Sequence, residues 1–444
     1  MLFFLRKIIP KSLLQAYHFT LAVLAAFYYH FPANKMVVIG VTGTGGKSTT
    51  VMMIGRILEE AGWKVGWSSS LTLKIGKEER LNPFHMTMLG RFKLQRLLAT
   101  MVKRGIQIAI IEVTSEGIKQ YRHFGINFDI AVFTNLSREH IEAHGSYENY
   151  RAAKGKLFKK VGLGSHKRLK EFGRLKKTIV VNVDDKESDY FLNFPAEVKI
   201  GYSLKGKFFT RKDVKVLAVK NFKLREDGSQ FILNGTPFEL KLLGEFNIYN
   251  ALAAIATTRA LNVDYLTAKK ALAKITQVPG RMEIVKTDKG FNVVIDLAHT
   301  PDSLRQAYQT LKKAYFLVPG LKNMICVFGS AGGLRDKWKR PVLGKIAASY
   351  CDFTFLTNED PYDENPLKII KEIAQGLKKE GKKENKDFWI IPDRREAIRA
   401  ALKKAKKGDL VVITGKGTEA TMVIGSQTIP WNEKAVVEQE LEKI

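Results

Sequence analysis

Gly43-Thr44-Gly45-Gly46-Lys47-Ser48-Thr49 constrains this chain more than any other stretch. It follows an aliphatic run at 36–41, suited to a short buried strand, and precedes a helical pattern over 47–61. A glycine-rich turn from strand to helix lets backbone N–H groups approach phosphate oxygens, and the helix N-terminus adds the positive end of its dipole. Thr44, Gly45, Gly46 and Thr49 would cradle phosphates, Lys47 would neutralise the outer ones, and the Ser48 hydroxyl would ligate Mg2+. The strict pattern has glycine where Val41 stands, so the loop is a variant. A plain turn would have no use for Lys-Ser-Thr at the helix start.

Strand-like runs recur at 107–113, 130–133, 178–183, 292–297, 323–328, 353–357 and 410–414, separated by helical patterns such as 367–379 and 394–406. That alternation predicts an α/β fold: a central ATPase domain with a parallel sheet, then a Rossmann-like α/β domain. Pro279-Gly280 breaks the chain after a long helical stretch at 249–275. The domains are therefore drawn as 1–35 (an apolar N-terminal helix), 36–278 (ATP-binding) and 279–444 (C-terminal). A length of 444 residues accommodates this division. Cys326 and Cys351 are too few for a disulfide framework and lack metal-site spacing, which points to a reducing, cytoplasmic location.

Charge is the unusual property. Seventy-three Lys and Arg against 44 Asp and Glu give +29, a field that favours anionic partners. Residues 151–177 carry eleven of these cations and one acid, Glu171, and the centre of the segment, 162–173, reads as an exposed loop. No charged residue lies between Lys11 and Lys35, and 19–31 is almost wholly apolar behind Arg6, Lys7 and Lys11. No small-x-small cleavage site follows, and polar breaks at Gln15, His18 and His30 leave the run short of the ~20 apolar residues of a span. A helix docked on protein and an interfacial membrane helix both remain open.

The Gly-Thr-x-Gly-Lys-Ser-Thr loop resembles that of the Mur ligase superfamily, which includes folylpolyglutamate synthetases. Further stretches follow in family order: Glu112-Val113-Thr114-Ser115, Thr134-Asn135-Leu136 through Glu139-His140, Tyr150-x-x-Ala153-Lys154, Asn247-x-x-Asn250-Ala251, Pro279-Gly280-Arg281-Met282-Glu283 and Asp296 through Asp302. With Gly329 through Asp336 and Gly415-Lys416-Gly417-Thr418-Glu419, they narrow the resemblance to the branch that adds the third amino acid of the peptidoglycan stem.

The resemblance implies an ATP-dependent amide-bond ligase that turns a carboxylate into an acyl phosphate and joins it to an amino acid. Lys47, Glu112, His140 and Lys154 would be catalytic, with Ser48, Glu112, His140 and a carbamylated Lys154 holding Mg2+. Asn135, Asn247, Asn250, Arg281 and Asp296 would bind ATP, Arg281 as a phosphate clamp and Asp296 at the ribose. Thr87, Thr114, Ser115, Gln120 and Arg122 would face the muramoyl-peptide, and His299, Arg335, Asp360, Tyr362, Gly415 and Glu419 the incoming amino acid, which would make 279–444 the amino-acid-binding domain. Two departures stand out. The family's usual enzymes carry an N-terminal UDP-binding domain of ~100 residues, whereas this loop begins at residue 43 behind an apolar helix. That domain is therefore expected to be missing, leaving a shortened acceptor, a partner protein or a lipid-linked acceptor at the membrane open. Tyr362 stands where an arginine pairs with the distal carboxylate of diaminopimelate. Around it Glu359, Asp360, Asp363 and Glu364 form an acidic turn that would favour L-lysine. A folylpolyglutamate-type ligase and a basic nucleic-acid-binding P-loop protein are the alternatives; the chain lacks any RNA-binding or helix-turn-helix signature, so nucleic acid is not the expected partner.

Overall fold

The computed structural model describes residues 10–84, 86–206, 211–316, 322–333 and 335–444. Residues 1–9 of the expected N-terminal helix and Leu334 of the Gly329–Asp336 stretch lie outside them.

The first sheet has eleven strands: β1 (Val37–Thr42), β2 (Val65–Ser68), β3 (Thr72–Ile75), β4 (Glu78–Leu81), β5 (Ile108–Glu112), β6 (Ile130–Phe133), β7 (Thr178–Asn182), β8 (Val198–Ser203), β9 (Lys215–Arg225), β10 (Gly228–Leu233) and β11 (Thr236–Leu240). Their spatial order is β11-β10-β9-β8-β7-β6-β1-β5-β2-β3-β4. Neighbours from β9 through β2 run parallel, while hairpins turn both flanks antiparallel. The central strands are buried on both faces, which is why β1, β5, β6 and β7 read as unbroken aliphatic runs. The antiparallel flanks escaped the sequence pattern because β4 is exposed along its length and β9 is mostly exposed.

The second sheet comprises β12 (Glu283–Lys286), β13 (Asn292–Asp296), β14 (Met324–Phe328), β15 (Phe353–Leu356), β16 (Phe388–Ile390) and β17 (Leu410–Thr414), in the order β12-β13-β17-β14-β15-β16. Only β12 is antiparallel to its neighbour.

The helices that position the site are α1 (Lys11–Tyr28), α2 (Lys47–Glu60), α3 (Arg91–Lys103), α4 (Ser115–Lys119), α5 (Ile141–His144), α6 (Tyr147–Leu163), α7 (Glu245–Arg259) and α8 (Lys339–Tyr350). The long helical stretch expected at 249–275 is two helices. Asn262 takes φ 62°, and Asp264 caps the second helix by accepting from Thr267 N.

The basic segment at 162–173 is exposed over most of its length, as expected, but it also closes a small hairpin, Arg168–Leu169 against Gly173–Arg174, and sends Lys167 inward. The buried Lys167 and Lys177 ammonium groups both donate to Asp129, at 2.6 and 3.1 Å, and Asp129 also accepts from Val38 N. Part of the basic run is thus a structural ion cluster under β1. The two cysteines, read as unpaired, form a buried disulfide between β14 and the end of α8. Twenty-five residues apart in sequence, they meet because β14 and the strand after α8 are neighbours in the sheet. Among the described residues, no helix is long and apolar enough to cross a membrane.

Candidate active site

The phosphate loop sits at the C-terminal edge of the first sheet, between β1 and α2. Gly46 takes φ 77°, and a Cβ there would overlap Asn250 Oδ1 on α7. Gly43 is similarly crowded by Thr134. Asn135, just past β6, accepts from Gly45 N at 2.8 Å and donates to Gly45 O at 3.2 Å. Thr134 donates to the same carbonyl at 2.7 Å. Thr44 meets the Tyr150 hydroxyl at 3.1 Å and accepts from Ser137 N. The loop is held open from three sides by these contacts.

Glu112, at the end of β5, is buried and accepts from Ser48 Oγ at 2.7 Å and from Ser70 N at 2.8 Å. Lys47 donates to Thr44 O at 2.9 Å and lies 3.8 Å from Glu112. Lys154 reaches from α6 to Gly43 O at 2.7 Å, wholly buried, with its ammonium over the Tyr150 ring at 4.5 Å. Burial, with the Lys47 ammonium adding to it, holds the Lys154 amine well below the usual lysine range. Burial also lowers Lys47, and Glu112 opposes that shift. His140 takes φ 58° at the start of α5, and burial followed by the charges of Arg335 and Lys154 brings it down to about 2. It is therefore a neutral imidazole at any physiological pH.

The second sheet supplies the opposite wall. Asp296 ends β13 and accepts from Met282 N at 2.8 Å and Ala298 N at 2.7 Å. One oxygen thus braces the 280–282 turn and the other the segment that follows β13. Burial lowers Arg281, which donates to Gly280 O, and its charge in turn lowers Lys47, so the two cations lie within electrostatic reach of each other. His299 is neutral as well, brought down to about 3 by burial and by Lys339 and Arg335, and its Nδ1 pairs with Leu297 O at 2.8 Å.

Other expected residues fall into three groups. Asn247 and Asn250 are bound to protein: Asn247 donates to Leu243 O, Asn250 to Asn247 Oδ1, and Thr50 to Asn250. They shape the floor of the loop. Along the first sheet's rim, Thr114 caps α4 through Gly117 N, Ser115 meets His144 Nε2 at 3.1 Å, and Gln120 bonds both Glu116 and Arg122. Arg122 also donates to Met88 O, close to the half-buried Thr87. In the second domain, buried Lys416 pairs with Asp360 at 2.9 Å and Glu419 at 2.7 Å. Gly415, at φ 110°, lies against Glu359. Tyr362, at φ 53°, pairs through its backbone with Val423 and Gly425.

Much of the acidic turn is engaged by protein cations. Asp360 pairs with Lys416 and Glu364 with Arg340 and Lys337, while Asp363 is exposed. Glu359 is buried, and desolvation with Asp360 beside it raises it to about 7. The electrostatic argument for L-lysine therefore rests on fewer carboxylates than the sequence offered.

Sequence reasoning missed the contacts that join the two walls. Lys339 and Glu139, both buried, pair at 3.0 Å. Asp336 accepts from Ile141 N and Glu142 N at the start of α5, and Glu142 accepts from Lys337 N. Glu139 and Asp336 stood inside quoted motifs, but nothing in a linear pattern says that two such stretches meet.

Comparison with known proteins agrees with this architecture. Residues 41–258 match the family model described as the Mur ligase middle domain, and 280–417 the one described as the Mur ligase glutamate ligase domain. A protein of Caldanaerobacter subterraneus subsp. tengcongensis, named UDP-N-acetylmuramoyl-L-alanyl-D-glutamate–2,6-diaminopimelate ligase, is 38% identical over 427 residues, covering 95% of this chain and 81% of its own. A Roseiflexus protein named UDP-N-acetylmuramyl-tripeptide synthetase is 36% identical over 439 residues, 96% and 82% of the two chains. A solved structure of a UDP-N-acetylmuramoyl-L-alanyl-D-glutamate–2,6-diaminopimelate ligase is 31% identical with a TM-score of 0.58, covering 92% of this chain and 79% of that one. Mycobacterium tuberculosis folylpolyglutamate synthase, at 17% identity and a TM-score of 0.67 over 89% and 92% of the chains, shares the fold.

Proposed function

This chain belongs to the Mur ligase family, and on that premise we infer that it joins an amino acid to a muramoyl-peptide precursor of peptidoglycan at the expense of ATP. It is an ATP-dependent acid–amino-acid ligase. The observation that supports the reading is the gathering of Lys47, Ser48, Glu112 and Lys154 around the phosphate loop, with Arg281, His299 and Arg335 of the C-terminal part within electrostatic reach of it.

The chemistry follows from charge. A carboxylate must approach a γ-phosphate, and both are anionic, so cations must screen the encounter. Lys47 and Arg281, within electrostatic reach of each other, would supply them. The Glu112 carboxylate and Ser48 hydroxyl form an oxygen pair suited to a hard cation, and neutral His140 leaves a ring nitrogen to donate. Ser48, Glu112, His140 and a carbamylated Lys154 would hold Mg2+, which would supply further positive charge to the reacting phosphate. Carbamylation needs a neutral amine, and the depressed Lys154 supplies one. The acyl phosphate is then attacked by the amine of the amino acid, which Arg335, His299, Asp360, Tyr362, Gly415 and Glu419 would position. Thr87, Thr114, Ser115, Gln120 and Arg122 would hold the acceptor.

The names of two of the similar proteins carry 2,6-diaminopimelate. That diamino acid is therefore the substrate to test first, with L-lysine beside it. We divide the chain into an N-terminal helix, a central domain over 36–278 and a C-terminal domain over 279–444, and place it in the cytoplasm on its membership of the family alone, since the disulfide removes the argument from the cysteines. The ligase reading leaves α1 without a role, and contact with a membrane surface is the candidate for it. The deciding experiment measures phosphate release and product mass with ATP, UDP-muramoyl-dipeptide and a panel of amino acids. A product heavier by one residue of diaminopimelate supports the reading. Phosphate release that requires nucleic acid, or no release with any acceptor, ends it.

A further inference from the structure

Helix α1 is packed inside out. Ala22, Ala25 and Ala26 are buried against the protein, and Ala26 closes on Gly125. The large apolar side chains point the other way: Leu13, Tyr17, Leu24, Phe27 and Tyr28 are 53–70% exposed. At about 100° per residue these five fall in one arc of the helix. Six of the sixteen exposed large apolar side chains among the described residues lie on this one helix. A surface helix that merely covered a core would do the reverse.

The neighbouring helix extends the face. Tyr28 and Phe92 rings lie 6.4 Å apart, and Phe92 on α3 is exposed beside Lys93 and Arg96. Neither α1 nor α3 contains an Asp or Glu; no acid occurs from residue 1 to 58, nor from 80 to 111. On a chain with 44 acids, that leaves two adjoining helices that carry cations and no carboxylate of their own.

We propose that the α1–α3 face seats this protein peripherally on an anionic lipid bilayer. Leucine and phenylalanine would enter the acyl boundary, the two tyrosines would lie at headgroup depth, and Lys93 and Arg96 would meet lipid phosphates. The charge pattern selects this occupant over a second copy of the chain: two such faces pressed together would oppose Lys93 and Arg96 to their own kind with no carboxylate between them. The helix is too polar to cross, so the seat is interfacial. Phe19 on the same helix packs on Tyr121 and Phe124, at 5.3 Å in each case, directly beside Gln120 and Arg122. The loop expected to hold the acceptor therefore adjoins the docked face.

The full chain is sedimented with phosphatidylcholine vesicles and with vesicles of phosphatidylcholine and phosphatidylglycerol. It should bind the anionic vesicles at least about tenfold better, and binding should weaken with salt. Leu13→Asp with Leu24→Asp should lose that binding, as should Lys93→Glu with Arg96→Glu, each with unchanged melting and ATPase turnover. Because the second pair leaves the apolar stripe intact, misfolding of the first would not remove the test. Equal binding to both vesicle types, or full binding by the charge-reversed pair, overturns the proposal. So does a parent dimer in ultracentrifugation that Leu13→Asp with Leu24→Asp splits, since a second copy would then be the occupant.

Discussion

Lys154 shows how far a single residue can be read. In the sequence it is one of eleven cations in a basic stretch, separated from the others only by the Tyr-x-x-Ala-Lys spacing. The structure removes it from water and gives it a single backbone carbonyl as partner. A buried ammonium beside another cation is costly, and a carbamate would reverse its sign at the point where a metal needs an anionic donor. Lys154→Ala should lower turnover by about 100-fold or more, and short carboxylates should restore part of it. Parent-like turnover in the variant would end the carbamate assignment. Lys47→Ala should abolish turnover while shifting the melting temperature by no more than about 2 °C, because Lys47 holds only its own loop and a 3.8 Å pairing to Glu112. Near-normal ligation in a folded Lys47→Ala protein would remove the phosphate-loop assignment.

Elements were legible where burial imposed a pattern. β1, β5, β6, β7, β13, β14, β15 and β17 were visible because a strand covered on both faces has only aliphatic positions to show. The flanking hairpins were invisible for the opposite reason. The phosphate loop lies between these regimes: its motif was plain, but its support by Asn250 was not. Gly46→Ala should impair ATP binding by about 1–3 kcal/mol, since it meets both a positive φ and the Asn250 amide. Removing only the amide, as Gly46→Ala with Asn250→Ala, should recover part of the loss; full recovery would show that backbone strain is irrelevant. A second element-level test lies in the C-terminal helix Glu433–Leu441, bound through Glu440 to Arg395 and Arg399. Hydrogen bonds from Arg399, Lys443 and Arg395 hold Glu440 at about 2, below its ordinary 4.5. A depressed carboxylate stabilises the fold above its unfolded pKa, and that stability is lost as pH falls through the folded value. Glu440→Gln should therefore lower the melting temperature at pH 7, with the deficit shrinking below pH 4.5 and closing near pH 2. A deficit independent of pH would mean the residue acts through packing alone.

At the scale of the molecule, the two sheets make one site only if they are held together, and this was the part the sequence concealed. Motif order along the chain placed catalytic stretches on both sides of residue 279 without saying which would touch. The structure joins them at one seam: Asp336 accepts from the first two amides of α5, Glu142 accepts from Lys337 N, and Lys339 meets Glu139 with both side chains buried. His140 lies inside that seam, between Glu139 and Ile141, so the seam also sets where the neutral imidazole stands relative to the phosphate loop. A buried pair contributes little over an apolar substitute of the same shape, but breaking it from one side leaves a charge without a partner. Lys339→Met should therefore cost about 3–5 kcal/mol in stability and lower kcat/KM for the amino acid, because the wall bearing Arg335 and His299 is no longer clasped to the wall bearing Lys47. Lys339→Met combined with Glu139→Met should be more stable than the single variant, since the orphaned carboxylate is gone. Urea denaturation and steady-state kinetics on the parent, both single variants and the double variant close the cycle. If the two substitutions cost the same separately and together add without coupling, the pair does not join the domains and the seam rests on Asp336 alone.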